Sequence, residues 1–281
     1  MARSLFGERL LAFVAAAGLA WSSAGCAPSS VGSTAESTGA DEQADQLVQF
    51  SLLAALAAGD YEGGAPLSAV RARGDFGLGT FDRLDGELIL LDGEIYQAVV
   101  DGTVRRRDDQ GTTPFATVTF FAADGRLTGI SATSLEELDR LLDGRLPNLQ
   151  LPVALWIDGE FAELTLRSAP PQKPPYRPLA EAIDQQVTWQ RQNVRGTLLG
   201  IRCPDWMQTL NVAGYHWHFL SDDRTVGGHV LDCQFDDATA LYDECTSVAV
   251  ELPRSKSFSQ VDMSGVSEAD VDKIERQRGS R

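Results

Sequence analysis

The chain has 281 residues, 43% of them hydrophobic and 23% charged, ordinary globular proportions with length enough for one large domain or two small ones. A net charge of −16 sets the surface against phosphate backbones and excludes nucleic acid as a natural partner; a small anionic substrate would need a local cation or metal. Only three histidines occur, and His216, His218 and His229 all fall within fourteen residues.

Residues 1–25 read as an export signal. Arg3 and Arg9 form the positive n-region, diluted by Glu8, and residues 10–21 form an apolar stretch too short to span a bilayer. Ser23-Ala24-Gly25-Cys26 resembles the lipobox of bacterial lipoproteins, with serine where leucine is usual. The other reading is an ordinary signal peptide with a chance cysteine. Residues 26–42, rich in Ser, Gly, Thr and Ala, read as a flexible linker that lifts a folded domain off a membrane. The expected location is therefore outside the cytoplasm, lipid-anchored through Cys26 or else periplasmic or secreted.

The folded part is expected over residues 43–281. Residues 46–58 are apolar, as a strand running into a helix or as a single helix. Residues 87–91, 94–100 and 115–121 are β-rich runs, with Asp92-Gly93, Asp101-Gly102 and Asp124-Gly125 at their ends as tight-turn signals. Ser134-Leu135-Glu136-Glu137 is a capping box that opens a short helix to Leu142. Residues 153–157 and 160–167 read as strands joined at Asp158-Gly159. The Pro-rich stretch 170–178 breaks the chain between two halves, or is simply a rigid surface loop. Leu179, Ile183 and Val187 have helical spacing. Residues 197–201, 210–220 and 229–234 read as strands, and 267–275 as a short capped helix. The fold class is mixed α/β (α+β), two sheet-containing subdomains with substantial antiparallel β structure.

Cys203, Cys233 and Cys245 show no CxxC or knuckle spacing, so they are not assigned to a metal. An exported chain can pair two and leave one free, or bury all as thiols.

His216 and His218, two apart in a strand-like run, leave the same face of a sheet. His229 follows a turn built from Ser221 to Arg224 and Gly227-Gly228, so an antiparallel return brings it opposite them. Three imidazoles on one point leave open positions for water or substrate, the arrangement of a catalytic zinc site. Zinc is the default ion, with iron, manganese and nickel as alternatives.

The run Gly214-Tyr215-His216-Trp217-His218-Phe219-Leu220-Ser221-Asp222-Asp223-Arg224, continuing to Gly227-Gly228-His229-Val230-Leu231-Asp232, resembles the metal-binding signature of α-acetolactate decarboxylases. Gly74-Asp75-Phe76-Gly77-Leu78-Gly79-Thr80-Phe81 with Leu84-Asp85-Gly86-Glu87-Leu88-Ile89, then Thr113-Pro114-Phe115-Ala116 and Pro175-Tyr176-Arg177-Pro178-Leu179, also match in order. The Gly77-Leu78-Gly79 stretch alone is weak evidence for a nucleotide loop, since no helix pattern directly follows it.

The resemblance implies decarboxylation of the anionic substrate acetolactate to acetoin, and a homodimer, in a family whose members often lack an export signal. Loss of CO₂ leaves an electron pair that a metal can accept as a chelated enediolate, acting as a Lewis acid, before a donor protonates one face. The resemblance assigns Glu87 to the metal or to the hydroxyl proton. It assigns Arg167 to the substrate carboxylate or to proton delivery. It assigns Glu275, with Glu268 nearby, as a carboxylate from a folded-back tail. From the residues alone, Glu87 is a solvated hairpin residue, Arg167 a surface arginine and Glu275 part of a solvated helix face.

Two rivals stand beside this reading. A cupin-like metal oxygenase would use His-x-His with Asp222 and His229, although Asp222 sits in a run that reads as a turn. A lipid-anchored zinc-binding protein would need neither Glu87 nor Arg167.

Overall fold

The computed structural model describes residues 45–267 together with Asp270, Val271, Lys273 and Ile274. The expected export signal with Cys26, the whole of the expected linker over residues 26–42, Glu268 and Glu275 lie outside the described residues. In chain order the elements are β1 (Gln46–Phe50), α1 (Leu53–Ala57), β2 (Ala65–Pro66), α2 (Leu67–Arg71), β3 (Phe76–Thr80), β4 (Glu87–Leu91), β5 (Glu94–Ala98), β6 (Val104–Arg107), β7 (Thr112–Thr113), β8 (Phe115–Thr119) and β9 (Gly125–Ala132). They continue with α3 (Leu135–Asp143), β10 (Val153–Ser168), α4 (Leu179–Ala182), β11 (Val187–Cys203), β12 (Gly214–Ser221), β13 (Gly227–Glu244), β14 (Ser247–Glu251) and α5 (Lys256–Gln260). Among the described residues no helix is long and apolar enough to cross a membrane.

Two sheets carry the fold, and the mixed, largely antiparallel class is as expected. One has seven strands in the order β14-β1-β8-β3-β4-β5-β6. In the other, β10 pairs with both β11 and β13, β11 with β12, and β12 with β13. Those four strands close into a ring, and β9 adds to β13.

Local chemistry accounts for most of these elements. The apolar segment at 46–58 is a strand and then a helix, separated at Ser51 with φ of 66°. Asp92 and Gly93 both have positive φ, 53° and 73°, as a two-residue hairpin turn between β4 and β5 requires. Ser134 caps α3 by accepting from the Glu137 N–H, while the Glu137 carboxylate accepts from the Thr133 N–H at 2.8 Å. At the tail, Ser267 and Asp270 exchange side-chain to backbone hydrogen bonds of 3.0 and 3.3 Å, the same device with aspartate in place of glutamate.

Three local expectations are corrected. Asp158-Gly159 makes no hairpin: β10 runs straight through it as one strand, because β11 pairs across it at Asp158↔Thr197 and Gly159↔Gly196. The Asp158 carboxylate is occupied within the sheet, accepting from Trp156 Nε1 and Thr197 Oγ1, each at 2.7 Å. Asp124-Gly125 is a crossing point, since β9 belongs to the other sheet from β8. Val187 does not extend a helix but opens β11 opposite Ser168; sheet pairing outweighs helical spacing in so short a segment.

Alternation along β12 decides where the site forms. Trp217 and Phe219 point into the core of the ring, with Phe161 and Phe235 in edge-to-face contact nearby. Leu220 points the other way, into the layer between the sheets, and His216 and His218 share its side of the strand by the period of two. Gly200, paired with Trp217, makes room for the indole: a Cβ there would lie 2.3 Å from the ring. Gly200→Ala is expected to destabilise the fold by about 1–3 kcal/mol through overpacking. A thermal melt checks this, and an unchanged midpoint would mean the indole moves aside freely.

Candidate active site

The antiparallel return expected from the sequence is present: His218 on β12 stands opposite His229 on β13. One ligand atom from each of His216, His218 and His229 lies within 4.8 Å of the others, and all three side chains are buried. Nδ1 of His229 is 3.2 Å from Nε2 of His216. Two nitrogens bound about 2.05 Å from a tetrahedral zinc ion stand about 3.3 Å apart, so this spacing fits.

The neighbouring sheet fixes the orientation of the central ligand. Nδ1 of His218 is 2.9 Å from the carbonyl oxygen of Leu88. A carbonyl only accepts, so Nδ1 carries the hydrogen and Nε2 keeps its lone pair. Among the described residues that Nε2 is buried with no hydrogen-bond partner, and it lies 3.6 Å from Glu87 Oε2. An oriented, unsatisfied imidazole nitrogen is what a metal ligand with outer-shell support looks like. Burial lowers His218 well below the ordinary imidazole value and holds His216 down to about 3, with the Arg167 guanidinium adding repulsion in both cases. Neutral imidazole is the state that donates to a metal. The residues present therefore fit a bound divalent cation.

Two further side chains meet the triad. Glu87 opens β4 and is nearly buried, so the solvated-hairpin alternative fails: β4 and β12 face each other and turn its carboxylate inward. Arg167 sits near the end of β10 directly opposite His229 and is only 5% exposed. Its Nη2 donates to the carbonyl of Ile274 at 2.9 Å.

Glu87, Arg167, His216 and His229 line one cleft of about 500 Å³, open solvent at its mouth included. Its apolar wall includes Leu53, Leu56, Leu84, Phe115, Leu179 and Ile183. Gly79 lines it too, in β3 and not in a nucleotide loop: a Cβ there would come within 2.3 Å of the Phe115 carbonyl, so the glycine serves close strand approach. The site can hold a cation, pair with a carboxylate at Arg167 and keep water from the reacting carbon.

Other candidates fall away from this point. Asp222 is exposed in the turn after β12 and pairs with Arg195 at 3.6 Å, which leaves a cupin-like ligand set without its acid. Cys203, Cys233 and Cys245 are buried free thiols. Burial raises all three, Cys203 to about 12, so none offers a thiolate at neutral pH. The Leu88 and Ile274 carbonyls were invisible to residue-type reasoning, since every residue carries one.

Known proteins resemble the chain over most of its length. The family model for alpha-acetolactate decarboxylase matches residues 47–265. The chain is 40% identical over 232 residues to the alpha-acetolactate decarboxylase of Methanosarcina mazei, covering 83% of this chain and 81% of that protein. It is 42% identical over 217 residues to that of Raoultella terrigena, covering 77% and 84%. The crystal structure of alpha-acetolactate decarboxylase from Bacillus subtilis strain 168 superposes with a TM-score of 0.80 at 33% identity, over 83% of this chain and all of that one.

Proposed function

We propose, for a chain that belongs to the alpha-acetolactate decarboxylase family, that its conversion of acetolactate to acetoin depends on zinc held by His216, His218 and His229. Membership makes the chain a carboxy-lyase; the metal and the residue roles are our reading. The observation that carries it is the buried His218 Nε2, without a hydrogen-bond partner among the described residues, in a cluster of three imidazoles that each bring a ligand atom within 4.8 Å of the others, beside a buried arginine.

The substrate is an anion with a ketone and a hydroxyl on adjacent carbons, and breaking the bond to CO₂ leaves an electron pair that must be stabilised. A bound zinc ion would supply a Lewis acid for the ketone and hydroxyl oxygens. Arg167 binds the carboxylate, offering a planar set of donors to an anion that the acidic surface does not attract. Glu87, 3.6 Å from His218 Nε2, accepts the hydroxyl proton or completes the ligand set. The apolar wall takes the methyl groups and excludes water, strengthening the charge interactions inside. Once CO₂ has left, the Arg167 side of the cleft is where a proton is delivered, and one-sided delivery fixes the handedness of acetoin. Glu275, next to Ile274, is the tail carboxylate that the family resemblance adds.

The test is acetoin formation from acetolactate by residues 43–281, against a no-enzyme control because the substrate also decarboxylates spontaneously. Activity well above that control, lost on chelation and restored by zinc, is the expected result. A folded, zinc-loaded protein that gives no more acetoin than the control would overturn the assignment. Chelated protein with full activity would remove the metal from it.

A further inference from the structure

The last described residues form a strap across the cleft. Val271 and Ile274 are buried in the same apolar cluster as Leu53, Leu56, Leu84 and Leu179. Between them, Lys273 turns outward: its Nζ donates to the Ala180 carbonyl at 2.7 Å and lies 3.4 Å from Asp184 Oδ1. Ala180 is in α4 and Asp184 in the turn that follows. The strap's own contribution to the cleft is a backbone atom, the Ile274 carbonyl that accepts from Arg167.

That hydrogen bond carries unusual weight. Among the described residues it is the one hydrogen bond Arg167 makes, and the Arg167 Nε is buried without a partner. An arginine has about 2 kcal/mol of rotamer entropy to lose, and here a single carbonyl from a distant part of the chain sets where the guanidinium rests. The carbonyl's own position depends on the residue before it.

We propose that Lys273 is a positioning residue for the decarboxylation: its ammonium latches the C-terminal strap to α4 and the following turn, so that the Ile274 carbonyl holds the Arg167 guanidinium in place for the substrate carboxylate. The proposal rests on the role given to Arg167 above. The latch is half-exposed, with side chains 41% and 56% accessible, so neutralising it is a mild change and reversing its charge is the decisive one. Lys273→Glu places a second carboxylate beside Asp184 and against the Ala180 carbonyl.

Lys273→Glu is expected to raise the KM for acetolactate about tenfold, the equivalent of about 1.4 kcal/mol, while kcat stays within about twofold and zinc content and melting temperature match the parent. Lys273→Arg should behave as the parent, and Asp184→Lys combined with Lys273→Glu should recover most of the lost affinity. A parental KM in Lys273→Glu, in a preparation whose parent is active, overturns the proposal. Coupling is reciprocal, so hydrogen exchange over residues 266–274 gives a readout that needs no activity. Exchange there should quicken in Lys273→Glu and also in Arg167→Met. Unchanged exchange in Arg167→Met overturns the coupling of strap and arginine. A parent that forms no acetoin defeats the decarboxylase reading, and the exchange result still decides the latch.

Discussion

Replacing His218 by alanine is expected to remove metal and acetoin formation together. The His218 tautomer is set by a backbone carbonyl, with Nε2 left without a hydrogen-bond partner among the described residues. Outer-shell partners alone are worth about 10- to 100-fold in metal affinity, so losing the ligand itself should cost more than about 100-fold. The measurement is zinc per chain after dialysis, by elemental analysis, with acetoin formation on the same sample. A bound metal stabilises the fold by mass action, about 4 kcal/mol at a free concentration of 1,000 times Kd. The chelated parent should therefore lose thermal stability, whereas His218→Ala, already metal-free, should not respond to the chelator. Stoichiometric zinc in His218→Ala would place the ion somewhere other than this triad.

How much of this site was legible follows from what each residue type can signal. The histidines were legible because their spacing is a statement about geometry: two apart on a strand share a face, and a polar turn between strands brings the third back opposite, as His218↔His229 does. Glu87 and Arg167 were legible only through family motifs. A carboxylate after Asp-Gly and an arginine before a Pro-rich stretch have solvent-exposed readings by default, and only the stacking of β4 on β12, distant in sequence, buries Glu87. The elements failed where a local signal met a long-range pairing. Asp158-Gly159 is a turn dipeptide in isolation, yet β11 pairs straight across it. Leu179, Ile183 and Val187 keep helical spacing, yet the third belongs to a strand. The carbonyls of Leu88 and Ile274, which orient one ligand and one cation, have no residue signature and emerge only from the folded backbone.

Arg167→Ala is the second large effect, and it separates catalysis from metal binding. The guanidinium is buried, lies opposite His229 and holds no ligand atom of the triad, so zinc content should remain that of the parent. Its repulsion also disfavours protonation of His216 and His218, and removing that repulsion leaves burial, the larger cause, to keep both rings neutral. Acetoin formation should fall by about 100- to 1,000-fold in kcat/KM, the range for deleting one preorganised charge-stabilising donor from a water-excluded site. Arg167→Lys is expected to recover little, because an ammonium is a point charge on a flexible stem and lacks the planar fork that can reach the Ile274 carbonyl and a carboxylate at once. The split between constants is informative: a rise in KM alone means that the arginine only grips the carboxylate, whereas a fall in kcat means that it also acts as the proton is delivered. A metal-buffering protein would have no use for a buried arginine at this position. Unchanged kcat/KM in Arg167→Ala, with zinc in place, would leave the triad standing as a metal site and remove Arg167 from the reaction.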